Sequence, residues 1–203
     1  MKPNDPILRP RALLLDMDGT ITEPMLDFPR IKHEMGIGTR PILEALAEMT
    51  DTDRATAEAV LARHEEEAAE RSSLNAGCDR LLAWIAEHGV VTALITRNAR
   101  ASVQTVLAKH GLSFGTLITR DDAPFKPDPR PLLLACERLG VAPGDAWMVG
   151  DGQYDVEAGR AAEMRTVWVS HDRPRTFDAA PWRTVRDLQE LVDLLQSCGT
   201  PRT

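Results

Sequence analysis

Two aspartates one residue apart, Asp16 and Asp18, are the residues whose types and spacing point most directly to chemistry. They follow the apolar run 12–15 and precede Gly19 and Thr20, which suit a tight turn. A fully apolar run of this length predicts a strand buried on both faces, with the carboxylates in the crevice at its carboxyl end. Two carboxylates this close repel by on the order of 4 kcal/mol at an effective dielectric of 20. The pattern therefore favours a site for a hard cation such as Mg²⁺, and the alternative is a solvated acidic turn that caps a helix.

The elements that must position these carboxylates alternate regularly along the chain. The patterns predict further strands at 90–95, 116–119, 146–149 and 166–169, and helices at 78–88, 102–110, 130–139, 154–162 and 187–196. Strands that alternate with helices in this way indicate βαβ units, a parallel sheet and right-handed crossovers. The predicted fold class is α/β.

The segment 21–75 differs from this alternation, because Ala, Leu and Glu dominate it. It predicts two helices, at 41–49 and 52–72, the second capped by Asp51 or Thr52. Such a segment is too small for a core of its own, so we expect it to pack as a lid. The predicted domains are a catalytic core of residues 1–20 and 76–203 and a helical cap of residues 21–75.

Polar side chains follow four of the predicted strands. They are Asp16 and Asp18, Thr96, Lys126 (after a loop), and Asp151 with Asp155. Because the carboxyl ends of parallel strands share one edge of a sheet, we expect these side chains to lie together. The acidic groups suit a divalent cation, and the hydroxyl and ammonium suit a phosphoryl group. For single residues a structural role stays open: Thr96 or Asp155 can cap a helix, and Lys126 can be a surface lysine.

Four motifs of this chain follow the order found in haloacid dehalogenase superfamily phosphatases. They are Asp16-x-Asp18-Gly19-Thr20, Thr96, Lys126-Pro127 and Gly150-Asp151-x-x-x-Asp155. The chain resembles that superfamily over nearly its whole predicted core, and most closely its phosphoglycolate phosphatase-like branch. The resemblance implies a three-layer, Rossmann-like parallel sheet with a small α-helical cap of the first type, inserted after the first strand.

The resemblance also implies catalytic roles. Asp16 would be the nucleophile that forms an aspartyl-phosphate, and Asp18 would protonate the leaving oxygen and then activate water. Thr96 would donate its hydroxyl to the phosphate. Lys126 would bind the phosphate and offset the negative charge of nucleophile and substrate together.

The implied cofactor is Mg²⁺. Its ligands would be the Asp16 carboxylate, the Asp18 backbone carbonyl and Asp151. Asp155 would either bind the ion directly or orient its water ligands.

Substrate contacts are expected beside the catalytic residues and in the cap. Arg97 and Asn98, adjacent to Thr96, are candidates for the pocket lining, and Arg40 belongs to a cationic group near the start of the cap. Arg63 and His64 lie on a glutamate-rich helix and are expected to be exposed.

Asp18 favours phosphate-ester chemistry, because the dehalogenases and phosphonate-cleaving members of the superfamily lack an acid there. We therefore expect a Mg²⁺-dependent phosphatase acting on a small phosphorylated metabolite. A phosphomutase of the same superfamily would share every catalytic residue, and a non-catalytic binding protein of this fold is the other alternative.

The composition of the chain limits the classes of molecule that it is expected to bind. The 203-residue chain carries a formal charge of −7 and only 4% aromatic residues, which disfavours binding to nucleic acid and to anionic membranes. No apolar segment approaches the roughly 20 residues that span a bilayer, and the start of the chain does not resemble a signal peptide. We expect a cytoplasmic protein that is a monomer or a weak homodimer.

Overall fold

A computed structural model describes residues 7–199 of the chain. Its centre is a six-stranded sheet in which all neighbouring strands are parallel. The strands are β1 (Ala12–Leu15), β2 (Val91–Ile95), β3 (Thr116–Ile118), β4 (Ala146–Gly150), β5 (Arg165–Val169) and β6 (Arg183–Val185). Their order is β3-β2-β1-β4-β5-β6. The predicted three-layer α/β class with a parallel sheet is confirmed.

Eight helices connect or extend these strands within the described residues. They are α1 (Phe28–Glu34), α2 (Ile42–Ala47), α3 (Asp51–Arg71), α4 (Cys78–His88), α5 (Arg100–His110), α6 (Arg130–Leu139), α7 (Gln153–Ala161) and α8 (Leu188–Gln196). A 3₁₀ turn, Pro143–Asp145, leads into β4. No helix in the described part of the chain combines the length and apolar character needed to cross a membrane.

Strand β1 lies at the centre of the sheet, and its four residues are fully buried. It pairs with β2 on one side and β4 on the other, so Leu14 lies between Ala93 and Met148. The chain order runs outward in opposite directions from β1 and β4. This reversal is a topological switch point, where ligands bind in open α/β sheets.

The core on one face of the sheet is formed by alternate strand residues and two helices. Leu14, Ile95 and Met148 are buried there, together with Leu132 of α6 and Ala158 of α7. Helix α6 packs on β1, β2 and β3, whereas α7 packs on β4 and β5. Because apolar residues on both faces of β1 are buried, the carboxyl end of the strand is where its chain first meets polar groups.

The described residues divide into two compact units. The sheet unit comprises residues 7–23, 73–97 and 113–199, and the helical unit comprises residues 24–72 and 98–112. Within the helical unit, α3 packs against α1, α2 and α5. The role of residues 21–75 as a cap domain stays a prediction.

Three local predictions were wrong or incomplete. Helix α1 was not predicted, because it has seven residues of which only Ile31 is buried, and so it shows too little apolar pattern to identify a helix. Strand β6 was not predicted, because it has three residues, two of them exposed, and therefore little apolar pattern. Helix α3 is capped by Thr50, whose hydroxyl accepts from the Asp53 N–H, and not by Asp51 or Thr52.

Candidate active site

The ammonium group of Lys126 lies at the centre of the polar groups that follow the strands. It donates to Asp16 Oδ1 at 2.6 Å, to Asp155 Oδ1 at 2.6 Å and to the Ile95 carbonyl at 2.7 Å. The side chain is only 2% exposed, so all three donors are satisfied inside the protein. Burial alone would lower the pKa of Lys126, but the two carboxylates outweigh it and raise that pKa. The lysine is therefore a buried, permanent positive charge.

Three carboxylates share this edge of the sheet. Asp16, Asp151 and Asp155 each present an oxygen, and these oxygens lie within 4.8 Å of one another. Burial raises the pKa of Asp16 well above its usual range, Lys126 opposes this, and the neighbouring carboxylates add to it. Burial likewise raises the pKa of Asp151, while Arg173 opposes the rise. Burial therefore disfavours the ionised form of both carboxyl groups.

This donor set fits a hard divalent cation. Asp155 is buried, and Asp16 and Asp151 are only slightly exposed. When ionised, the three carboxylates contribute three negative charges against the two positive charges of Lys126 and Arg173. Carboxylate oxygens are the ligands that Mg²⁺ prefers. A dication would stabilise the ionised forms of Asp16 and Asp151, whose pKa values are raised mainly by burial and further by the neighbouring carboxylates. The Asp18 side chain does not belong to this group of three. Its implied contact with the metal is through its backbone carbonyl.

The turn after β1 is held by hydrogen bonds that the sequence did not reveal. Gly19 adopts a φ of +76°, and a Cβ there would lie 2.3 Å from Asp151 Oδ2, so only glycine fits. The Asn75 amide donates to the carbonyls of Thr20 and Thr22, each at 2.9 Å. The turn after β1 is therefore fixed by Asn75 and lies close to Asp151 at Gly19.

Asp155 serves two partners at the start of α7. Its Oδ2 accepts from the Gly152 N–H at 3.0 Å, which caps the helix, while its Oδ1 accepts from Lys126. The capping role that the sequence left open is therefore present together with the contact to Lys126. Gly150 makes room for this carboxyl group, since a Cβ there would lie 2.2 Å from Asp155 Cγ.

The turn after β5 also reaches the site, and sequence reasoning missed it. Arg173 Nη2 donates to Asp151 Oδ2 at 2.8 Å, and a ring nitrogen of His171 lies 2.6 Å from the Gly19 carbonyl. His171 and Asp172 both have left-handed backbone conformations, with φ of 50° and 59°. Non-glycine residues rarely adopt this conformation, and it concentrates at functional sites. Two adjacent polar residues after a strand were the available signal.

Arg97 holds the segment that carries Lys126. Its guanidinium lies 4.7 Å from the ring centre of Phe125 and 4.1 Å from that of Tyr154, and it donates to the Lys126 carbonyl. The Arg97 carbonyl in turn accepts from Arg120 at 3.2 Å. The expected substrate contact of Arg97 stays a prediction, and the structure shows this clamp on the Lys126 backbone.

The remaining predicted residues have different settings. Thr96 is buried directly after β2, and its N–H donates to the Ile118 carbonyl. Asp18 is half-buried in the turn after β1. Asn98 and Arg40 belong to the helical unit, where Asn98 is buried and Arg40 donates to the Ile37 carbonyl and to Glu48.

Comparison with known proteins agrees with this arrangement. A family described as "Haloacid dehalogenase-like hydrolase" matches residues 23–169, a span that begins after Asp18 and contains Thr96, Lys126, Asp151 and Asp155. A phosphoglycolate phosphatase of Pseudomonas putida is 31% identical, over 96% of this chain and 82% of its own length. An N-acetylmuramic acid 6-phosphate phosphatase of Pseudomonas aeruginosa is 28% identical, over 93% of this chain and 96% of its own length.

Solved structures share the fold. A hydrolase from Pseudomonas syringae superposes with a TM-score of 0.76 at 19% identity, covering 91% of this chain and 97% of that one. At this identity the likeness concerns the fold alone.

Proposed function

Because the chain belongs to the haloacid dehalogenase-like hydrolase family, we propose that it is a Mg²⁺-dependent phosphatase in which Asp16 forms an aspartyl-phosphate intermediate. The substrate class is a small phosphorylated metabolite. The observation that carries the proposal is the Lys126 ammonium, which bridges Asp16 and Asp155 beside Asp151. A buried cation at the nucleophile is what a reaction between two anions, a carboxylate and a phosphate ester, requires.

The proposed reaction has two displacements at phosphorus. An Asp16 carboxylate oxygen attacks phosphorus, the bond to the leaving oxygen breaks, and Asp18 donates a proton to that oxygen. Asp18 then takes a proton from water, whose oxygen attacks the phosphorus of the aspartyl-phosphate. The bond between phosphorus and Asp16 breaks, inorganic phosphate leaves, and both aspartates return to their starting states.

The chain's own residues prepare the site for this chemistry. Lys126 holds the Asp16 carboxylate through Oδ1 and stays charged throughout. Thr96, at the end of β2, is the proposed hydroxyl donor to the phosphate. Mg²⁺, held by Asp16, Asp151 and the Asp18 carbonyl, with Asp155 beside them, would supply further positive charge to the nucleophile and the phosphate.

The names of the relatives suggest the first substrates to test. Phosphate release should be measured with phosphoglycolate, N-acetylmuramic acid 6-phosphate and a wider set of metabolite esters, with and without Mg²⁺. Asp16→Asn should abolish release while leaving the protein folded. Asp145→Asn is the matched control, because Asp145 is exposed just before β4 begins, at the amino end of that strand. Turnover by Asp16→Asn would contradict the proposal.

The same assay separates the phosphomutase alternative. A mutase returns the phosphoryl group to a sugar phosphate, so it would yield an isomerised or bisphosphorylated sugar in place of stoichiometric inorganic phosphate. The phosphatase names of the relatives favour hydrolysis. The helical segment 21–75 stays, in this proposal, the part that selects the substrate.

A further inference from the structure

Asp151 is held by Trp168 of β5 and by Arg173 of the turn after it, neither of which belongs to the sequence motifs. Its carbonyl accepts from Trp168 Nε1 at 2.9 Å and from Arg173 Nη2 at 3.3 Å, and its Oδ2 accepts from the same Arg173 nitrogen at 2.8 Å. Arg173 Nε donates to the Ser170 carbonyl at 3.1 Å. The guanidinium is thus directed at Asp151 by its own turn and is not a freely rotating surface group.

The two cations of the site differ in how firmly they are buried. Lys126 serves Asp16 and Asp155 and is 2% exposed, whereas the Arg173 side chain is 50% exposed. If the Lys126 ammonium lost its ion pairs, Asp16 and Asp155 would have no positive partner, and the lysine would be an unpaired charge inside the protein. If Arg173 left Asp151, its guanidinium would move into solvent. Breaking an ion pair of a half-exposed side chain costs little free energy.

Asp151 is therefore the one carboxylate of the three described above whose counter-charge can be exchanged. We propose that Arg173 is the exchangeable counter-ion of Asp151: its guanidinium balances this carboxylate until a divalent cation binds, and so weakens the binding of that cation. This inference rests on the proposed function, in which Asp151 is a metal ligand. Arg173 is in this sense a positioning residue that acts through Asp151.

Mn²⁺ is the probe for the test, because free Mn²⁺ is counted directly by electron paramagnetic resonance. The wild type, Arg173→Gln, Arg173→Lys and Arg175→Gln are titrated without substrate. Arg175 is two residues away in the same segment, is exposed and donates to the Ala179 carbonyl, so its variant changes the net charge equally without touching Asp151.

We expect Arg173→Gln to bind Mn²⁺ on the order of fivefold more tightly than the wild type, because the competing charge is gone. Arg173→Lys keeps the charge and should fall between the two. Arg175→Gln should stay within about twofold of the wild type, since salt screens an exposed charge. Without metal, Arg173→Gln should melt at a lower temperature than the wild type, and saturating Mn²⁺ should narrow this difference.

The outcomes separate this inference from the proposed function. If the wild type binds Mn²⁺ and Arg173→Gln binds it equally or more weakly, the proposal that Arg173 is an exchangeable counter-ion is wrong, whereas the proposed metal site is retained. If Arg173→Lys binds as tightly as Arg173→Gln, charge is not the cause and the inference again fails. If neither the wild type nor any variant binds Mn²⁺, the proposed metal-dependent function fails with it.

Discussion

At the scale of single residues, Lys126 makes the most buried contacts between the polar groups of the site. Each of its three donors has a buried acceptor, and two of these acceptors are carboxylates that no other described contact neutralises so closely. Breaking a buried ion pair from one side is more costly than removing both partners, because the remaining charge is left without compensation.

Lys126→Met should therefore lower the free energy of unfolding by about 3–5 kcal/mol and abolish phosphate release. Urea denaturation without divalent cations measures the first effect. Lys32→Met is the control, since the Lys32 ammonium donates to a single backbone carbonyl, that of Thr39; its cost should be below about 1 kcal/mol. Equal losses in the two variants would show that Lys126 is an ordinary lysine.

Variants of Arg97 test whether this residue, which directly follows Thr96, binds substrate or positions Lys126. Arg97→Gln loses two cation–π contacts and a hydrogen bond to the Lys126 carbonyl, and should cost about 1–2 kcal/mol of stability. We expect kcat to fall with KM nearly unchanged, and Arg97→Lys to recover part of the loss. A rise in KM at constant kcat would assign Arg97 to the substrate instead.

At the scale of elements, Gly150 at the carboxyl end of β4 and Gly144 in the 3₁₀ turn before it form a matched pair of glycines. A Cβ on Gly150 would meet Asp155 Cγ at 2.2 Å, whereas a Cβ on Gly144 would meet nothing within 4 Å. Gly150→Ala should therefore push Asp155 from Lys126 and cost about 1–3 kcal/mol, and Gly144→Ala should change stability by less than about 0.5 kcal/mol. Thermal unfolding of both variants measures this, and similar melting temperatures would contradict the packing at Gly150.

The pairing of α1 with α3 predicts a dependence on pH. Hydrogen bonds from His64, Arg30 and Arg63 lower the pKa of Glu34 from 4.5 to about 2. Because the pKa of Glu34 is lower in the folded than in the unfolded chain, its stabilisation is present above pH 4.5 and is lost as the pH falls towards 2.

The melting temperature of the wild type should approach that of Glu34→Gln as the pH falls through this range. Glu58→Gln, at an exposed position of α3, should follow the wild type at every pH. A constant difference between the wild type and Glu34→Gln would remove Glu34 from this role.

Elements with strong apolar patterns could be predicted from the sequence. Features that depend on a partner residue far away in the chain could not. Strand β1 is buried on both faces, and its sequence shows this directly. His64 was expected to be exposed, but it is 7% exposed and lies 3.0 Å from Glu34. Its partner lies on α1, a helix whose own pattern was too short to identify. Burial of a polar residue depends on where its partner folds, and a single segment does not contain that information.

At the scale of the whole molecule, the parallel sheet explains why the site could be found at all. The ends of β1 and β4 bring Asp16 and Asp151 together, and the loop after β3 brings Lys126 to both Asp16 and Asp155. These residues stand at predictable positions, just after strands or their loops. Three further residues contact the same edge of the sheet: Arg173, His171 and Asn75. Their positions in the sequence do not predict these contacts, so the structure was needed to identify them.

The most direct test of the account is to locate the phosphoryl group during turnover. Enzyme mixed with a substrate identified by phosphate release, in the presence of Mg²⁺, is quenched in acid and digested, and the peptides are analysed by mass spectrometry. We predict one added phosphoryl group on Asp16, absent from Asp16→Asn and present in Asp145→Asn. A phosphoryl group on another residue, or full turnover with Asp16 unmodified, would contradict the assignment of Asp16 as the nucleophile.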